Sequence, residues 1–227
     1  MRPTPARPPA PTRALALAAA AAAPLALAAP AAHAATTTWK VVNPAADGRY
    51  ASTTTAGLTA RNAAGKTIFT CAEAYQQGTL ASVTSTAASP LLAKADYTAA
   101  TSATACKGPN GEQGMLLGGT IASIGVVYYS PTGYDAATGT TSLIGKKSVP
   151  IGISFLADDC RFDFDKITAT YTNGTRVLKY TGAVAHAYTN TNADGSVGCP
   201  GVTTGGTLTF TGGFTLDSAV TITRTTA

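Results

Sequence analysis

The densest chemistry in the sequence is a run of carboxylates. Asp158, Asp159, Asp163 and Asp165 fall within eight residues of one another, interleaved with Cys160, Phe162 and Phe164. In an extended chain successive side chains alternate, so Arg161, Asp163 and Asp165 project to one side and Cys160, Phe162 and Phe164 to the other. Paired carboxylates can bind calcium, or divide the acid and nucleophile roles of a glycoside hydrolase. Carboxylates at i and i+2 of one strand lie about 7 Å apart, and Arg161 and Lys166 beside them make a charge-balanced wet face. The wet face is the preferred reading; an extracellular hydrolase using Asp158 to Asp165 is the alternative.

Other catalytic patterns are thinner. A Ser-His-Asp site would need His186, the sole histidine after residue 34, which alternates with alanines in Val184-Ala185-His186-Ala187-Tyr188 and reads as a hydrogen-bonded strand residue. Ser123 lacks the first glycine of a nucleophile elbow and Ser154 lacks the last. Ala60 to Thr67 (A-R-N-A-A-G-K-T) is a permissive match to a phosphate loop, but that mechanism needs a helix after it, and Ile68-Phe69-Thr70-Cys71 reads as a strand. A plain hairpin turn is expected there. No site for a metal or cofactor is expected. Aromatic rings can cover the C–H face of a sugar; Trp39, the sole indole, and Tyr134 with Tyr128 or Tyr129 form a weak lead to a carbohydrate-binding surface.

The four cysteines depend on compartment. Arg2, Arg7 and Arg13 precede an apolar run from Ala14 to Ala29, and Ala32-His33-Ala34 follows as a small-x-small site. That is the three-part secretory pattern, with cleavage expected between Ala34 and Ala35. A retained membrane helix would need a longer run without Pro24. In an oxidising compartment an even number of cysteines favours disulfides. Cys71, Cys106, Cys160 and Cys199 have no C-x-x-C spacing, so two bridges are expected rather than zinc. The sequential connectivity, Cys71 with Cys106 and Cys160 with Cys199, keeps each loop in one half of the chain. On the chain-entropy model each such bridge contributes about 3 to 4 kcal/mol.

Three of the sixteen Lys and Arg lie in the leader, leaving 13 basic against 11 acidic groups over 193 residues. That balance gives no field to argue for nucleic acid or, after the leader is removed, for a membrane. Polarity comes instead from hydroxyls, with 37 Thr in residues 35 to 227. They alternate with apolar residues, as in Thr207-Leu208-Thr209-Phe210-Thr211 and Val220-Thr221-Ile222-Thr223, which is how half-buried strands read.

The firmest element is a hairpin. Ile167 to Thr172 and Thr175 to Tyr180 flank Asn173-Gly174, the strongest short signal for a two-residue turn. Such a turn sets Thr172 opposite Thr175 and Tyr171 opposite Arg176, with Ile167, Ala169, Tyr171, Leu178 and Tyr180 on one face. Further strands are expected at Trp39 to Val42, Leu58 to Ala60, Thr67 to Cys71, Leu80 to Val83, Met115 to Tyr129, Thr140 to Ile144, Ile151 to Leu156 and Cys160 to Phe164. Turns are expected at Asp47-Gly48, Asn62 to Gly65, Asp135 to Gly139, Asp194-Gly195, Gly205-Gly206 and Gly212-Gly213, and one helical turn at Ser89 to Ala95. Many short strands predict a single all-β domain over 35–227, an antiparallel sandwich or barrel.

The phrases Thr38-Trp39-Lys40-Val41-Val42, Thr70-Cys71, Cys106-Lys107-Gly108-Pro109, Tyr134 to Thr141, and Thr170-Tyr171-Thr172-Asn173 leading to Leu178-Lys179 resemble small secreted proteins of Streptomyces and related actinobacteria. The resemblance implies an exported, four-cysteine, all-β protein and implies no activity. The expectation is a secreted, non-catalytic binding or cell-envelope module, with environmental or cell-wall glycans as candidate partners.

Overall fold

Threonine alternation becomes antiparallel sheet throughout. The computed structural model describes residues 36–100, 102, 105–111, 113–119, 127–147, 151–155, 158–189 and 201–227, with backbone alone at 97–100, 114–119, 147, 151–165 and 185–189. Among the described residues there are fifteen strands and no helix. They are β1 (Thr37–Val42), β2 (Arg49–Asn62), β3 (Thr67–Cys71), β4 (Ala74–Thr79), β5 (Val83–Ser85), β6 (Ala93–Ala100), β7 (Cys106–Lys107) and β8 (Gln113–Gly119), followed by β9 (Val127–Asp135), β10 (Thr140–Lys147), β11 (Ile151–Phe155), β12 (Asp158–Thr172), β13 (Val177–Thr189), β14 (Thr207–Leu216) and β15 (Thr221–Thr226).

Strands β10, β9, β6, β4, β2, β14, β13 and β12 pair in that order, and β12 pairs with β10 again, closing an eight-stranded antiparallel barrel. The architecture is thus a barrel, not a sandwich. The pairings also close a second circuit, in which β11, β8, β7 and β3 lead from β12 round to β2. The long strands β2, β12, β13 and β14 belong to both. Each of the four changes register along its length: β14 between Gly212 and Phe214 against β2, β13 between Tyr180 and Val184, and β12 between Phe164 and Lys166. Bulges bend a strand and increase its twist, which lets one strand serve two closed walls. Gly212, with φ +139°, lies at this bend, and a Cβ there would run into the carbonyl oxygen of Gly57. Gly212-Gly213 was expected as a turn; the pair instead lies inside β14, where two backbones approach.

Inside the barrel the faces predicted from alternation are the buried ones. Ile167, Ala169, Tyr171 and Leu178 are all buried and Tyr180 is half-buried. The hairpin register, however, is displaced by two residues, with Thr172 opposite Val177, Tyr171 opposite Leu178 and Ala169 opposite Tyr180. The turn is four residues long because Asn173 is otherwise engaged. Its side chain donates to the Ile222 carbonyl and accepts from the Ile222 N–H, each at 2.9 Å. Arg176, with φ 59°, takes the left-handed position instead. Since a two-residue slip preserves the faces, the burial pattern survives the change.

Strands β5, β1 and β15 form a separate three-stranded sheet. It covers one end of the barrel: Trp39, Val41 and Ile222 are buried, Trp39 meets Tyr134 edge-on at 6.5 Å, and the Tyr171 hydroxyl donates to the Val220 carbonyl at 2.8 Å. Arg224 lies over the outer side of the Trp39 ring at 5.5 Å.

Two further expectations are corrected. Ser89 to Ala95 is not helical; Leu92 donates to the Tyr129 carbonyl and β6 begins at Ala93, so pairing with β9 overrides the proline signal. Leu80 to Val83 is not one strand: Leu80 ends β4's turn back to Gly48 and β5 begins at Val83. Of the strand expected at Met115 to Tyr129, 115–119 lie on β8 and 127–129 on β9, and 120–126 lie outside the described residues. Ala60 to Thr67 contains the β2–β3 hairpin turn as expected, at 63–66, with Asn62 Oδ1 accepting from the N–H groups of Ala64 and Lys66.

Candidate functional site

Among the described residues the barrel interior leaves little space: a cavity lined by Tyr50, Tyr129, Leu143, Tyr171, Leu178 and Ile222 among others measures only about 20 Å³. A polar chain crosses the interior: the Tyr50 hydroxyl donates to Gln76 Oε1 at 3.2 Å, Gln76 Nε2 donates to the Tyr180 hydroxyl at 3.0 Å, and the Tyr129 and Tyr180 hydroxyls share a bond at 3.0 Å. Gln76 is 1 % exposed, so the chain provides partners that a buried amide needs. Burial is the main cause that raises the pKa values of Tyr50, Tyr129 and Tyr180 above the ordinary phenol value, and it pushes Tyr171 up to about 12. These hydroxyls are structural; no ligand fits among them.

A groove of about 680 Å³ runs across β2, β4 and β6 on the outer wall. It is lined by Ala51, Tyr75, Gln77, Gly78, Asp96 and Asp217, with Asp47 at the turn before β2 and Arg49 at the strand's first residue. Three local features shape it. Gln77 pairs with Tyr97 and Gly78 with Ala95, which leaves Asp96 as the extra residue of a bulge. The bulge sits where β6 exchanges β9 for β8 as neighbour, and bulges commonly re-aim a side chain beside a site. Gly78 has no room for a side chain, because a Cβ would run into the Lys94 carbonyl oxygen.

Charge in the groove is largely balanced. Asp47 accepts from the Arg49 N–H at 3.0 Å and faces its guanidinium at 3.8 Å. Lys94 Nζ lies 2.6 Å from Asp96 Oδ1, and that hydrogen bond and charge raise the lysine's pKa. Asp217 accepts from the N–H groups of Ala51 and Ser218 at 3.1 and 2.7 Å. Sequence reading missed this site entirely, because its acids are 170 residues apart and meet only through sheet pairing. The one local signal was Gly78, a glycine inside a strand pattern.

The candidates read from the sequence fare differently. Cys71 and Cys106 face each other across β3 and β7 and form a disulfide, as expected. Cys160 lies on β12, but its side chain and the whole of Cys199 are outside the described residues, as are Ala34, Ala35, Ser123 and Asp194-Gly195. Asp158 to Asp165 lie on β12 as expected for a strand, with Asp165 at the register shift between Phe164 and Lys166. Backbone register sets Asp163 opposite His186, and His186 opposite Thr207. The side chains of Asp158 to Asp165, Ser154 and His186 lie outside the described residues. Trp39 is 2 % exposed and Tyr134 packs partly buried against the core. Tyr129 is buried too, so Trp39 and Tyr129 offer no ring at the surface, the indole being spent on closing the barrel, while Tyr128 is half-buried like Tyr134. Among the described residues no cluster of His, Cys, Asp and Glu could hold a metal ion. No family model, curated protein or solved structure matches the chain.

Proposed function

We propose that the chain is exported, cut between Ala34 and Ala35, and acts outside the cell as a non-catalytic binding or cell-envelope module. The observation that carries this reading is an open groove on the barrel wall, beside an interior that leaves little space among the described residues. Small-molecule sites are usually concavities of about 300–1,000 Å³, and the wall provides one where the interior does not. The buried Cys71–Cys106 bridge supports an oxidising destination, as does the three-part leader.

The test is co-sedimentation of the oxidised protein with insoluble cell-wall and plant polysaccharides, with and without calcium, followed by analysis of the supernatant for released products. Retention on at least one matrix without soluble product is expected. Product release that vanishes in Asp163→Asn would replace this reading by the hydrolase alternative, and retention on no matrix would end the binding reading.

A further inference from the structure

We propose that the groove across β2, β4 and β6 binds a neutral, polyhydroxylated chain, a short stretch of oligosaccharide, with the Tyr75 ring as its stacking surface. The inference rests on the binding reading and adds the place and the chemistry.

Four observations converge on it. The groove is open to solvent rather than closed over, which suits a segment of a longer polymer. Ala51, exposed, lines it with a methyl alone, so a ring can lie close to the β2 backbone. One wall is Tyr75, half-buried and held on β4 between β2 and β6. An aromatic face with a polar tip gives a large contact area at low entropic cost. The remaining groups are planar amide, carboxylate and guanidinium, together with the Thr79 hydroxyl. They donate and accept in the pairs that neighbouring hydroxyls need.

Charge selects among polymers. The three groove acids are matched by Arg49, Lys94 and two backbone N–H groups. A polycation would have to displace Lys94 from Asp96 or Arg49 from Asp47 to gain a partner. A polyanion would meet Asp47, Asp96 and Asp217. A neutral chain needs neither exchange, so it loses least on entering.

The experiment is isothermal titration, backed by amide chemical-shift mapping, of the oxidised protein with three hexamers: a neutral oligosaccharide series including N-acetylglucosamine, its deacetylated amine counterpart, and an oligouronate. Binding of a neutral hexamer, unchanged between 0.05 and about 0.5 M salt, is expected. Tyr75→Ala should weaken it at least tenfold, and Ala51→Trp, which puts a large ring at an exposed lining position without entering the core, should abolish it. Thr223→Ser, on the sheet that covers the barrel end, should leave it unchanged. Near-ultraviolet circular dichroism verifies that each variant is folded, and Ala51→Trp carries the test should Tyr75→Ala unfold. Neutral binding that survives both groove variants would overturn the groove while leaving a binding module with its site elsewhere. Binding of the amine hexamer alone, lost at high salt, would overturn the neutral chemistry. Binding of no hexamer, by a protein that still sediments with a matrix, would overturn the oligosaccharide assignment but not the binding reading.

Discussion

The barrel and the second circuit share β2, β12, β13 and β14 but are closed by different means. The barrel's closing seam, β10 with β12, is six residue pairs long, and its interior is filled by Phe214, Tyr129, Tyr171, Leu143 and Ile167. Closure there is a matter of ladders and packing. The second circuit passes through β7, which is two residues long and pairs with β3 at just Thr70–Lys107 and Cys71–Cys106. A two-residue ladder holds little on its own. The disulfide lies at this narrowest point of the ring, joining the residues directly opposite each other. A covalent link is placed where non-covalent closure is weakest, and none among the described residues is placed where the seam is long.

That contrast can be broken most directly in the barrel. Phe214 is fully buried and meets Tyr180 edge-on with ring centroids 5.8 Å apart. Phe214→Ala should cost about 3–5 kcal/mol, the range for deleting a buried ring and leaving its cavity. Urea unfolding at neutral pH measures it. If packing holds the barrel, the loss should match or exceed that from opening the disulfide; a cost under about 1 kcal/mol would mean that this wall does not depend on its filling.

Replacing Cys71 and Cys106 together by Ser removes a crosslink that spans 35 residues of sequence. The chain-entropy model assigns it about 3–4 kcal/mol. Hydrogen exchange sharpens the comparison: amides of β3 and β7 should lose protection first, while those of the β12–β13 hairpin near Tyr171 and Leu178 keep theirs. Equal loss in both regions would show that the two circuits open as one cooperative unit.

The two regions were also unequally legible in the sequence. Strands whose apolar residues alternate with threonine, such as Thr207-Leu208-Thr209-Phe210 and Thr140 to Ile144, announced both their existence and their inner face, because burial on one side imposes a period of two. The Cys71–Cys106 pairing followed from proximity in sequence within one half of the chain. Strand β4 went unread because Gln76 and Gln77 look like loop residues; Gln76 is buried with Tyr50 and Tyr180, 26 and 104 residues away, among its hydrogen-bond partners. The hairpin turn was misread for a related reason: Asn173 is claimed by Ile222, 49 residues on. The groove was invisible on the same grounds, since Tyr75, Asp96 and Asp217 share no local pattern. What alternation and turn chemistry dictate locally was readable, and what depends on a distant strand supplying a partner was not.

The buried tyrosine chain gives the mildest and most specific test. Tyr129→Phe deletes one hydroxyl from the bond with Tyr180 while Gln76 still donates to Tyr180, so the cost at neutral pH should be about 1 kcal/mol, the net value of a typical hydrogen bond. The same side chains set the alkaline limit. An unfolded chain releases a phenol proton near 10, whereas burial holds the Tyr171 proton to about 12 and raises Tyr50, Tyr129 and Tyr180 in the same direction. Between those values the unfolded state binds fewer protons than the folded one, so stability is complete below pH 10 and falls as pH rises toward 12. Tyr129→Phe removes one of these groups and should make that fall shallower. Urea midpoints across this range, read beside tyrosinate absorbance, measure both slopes. Parallel slopes for the variant and the parent protein would mean that Tyr129 ionises freely in the folded state, and that the barrel's interior is wetter than its packing implies.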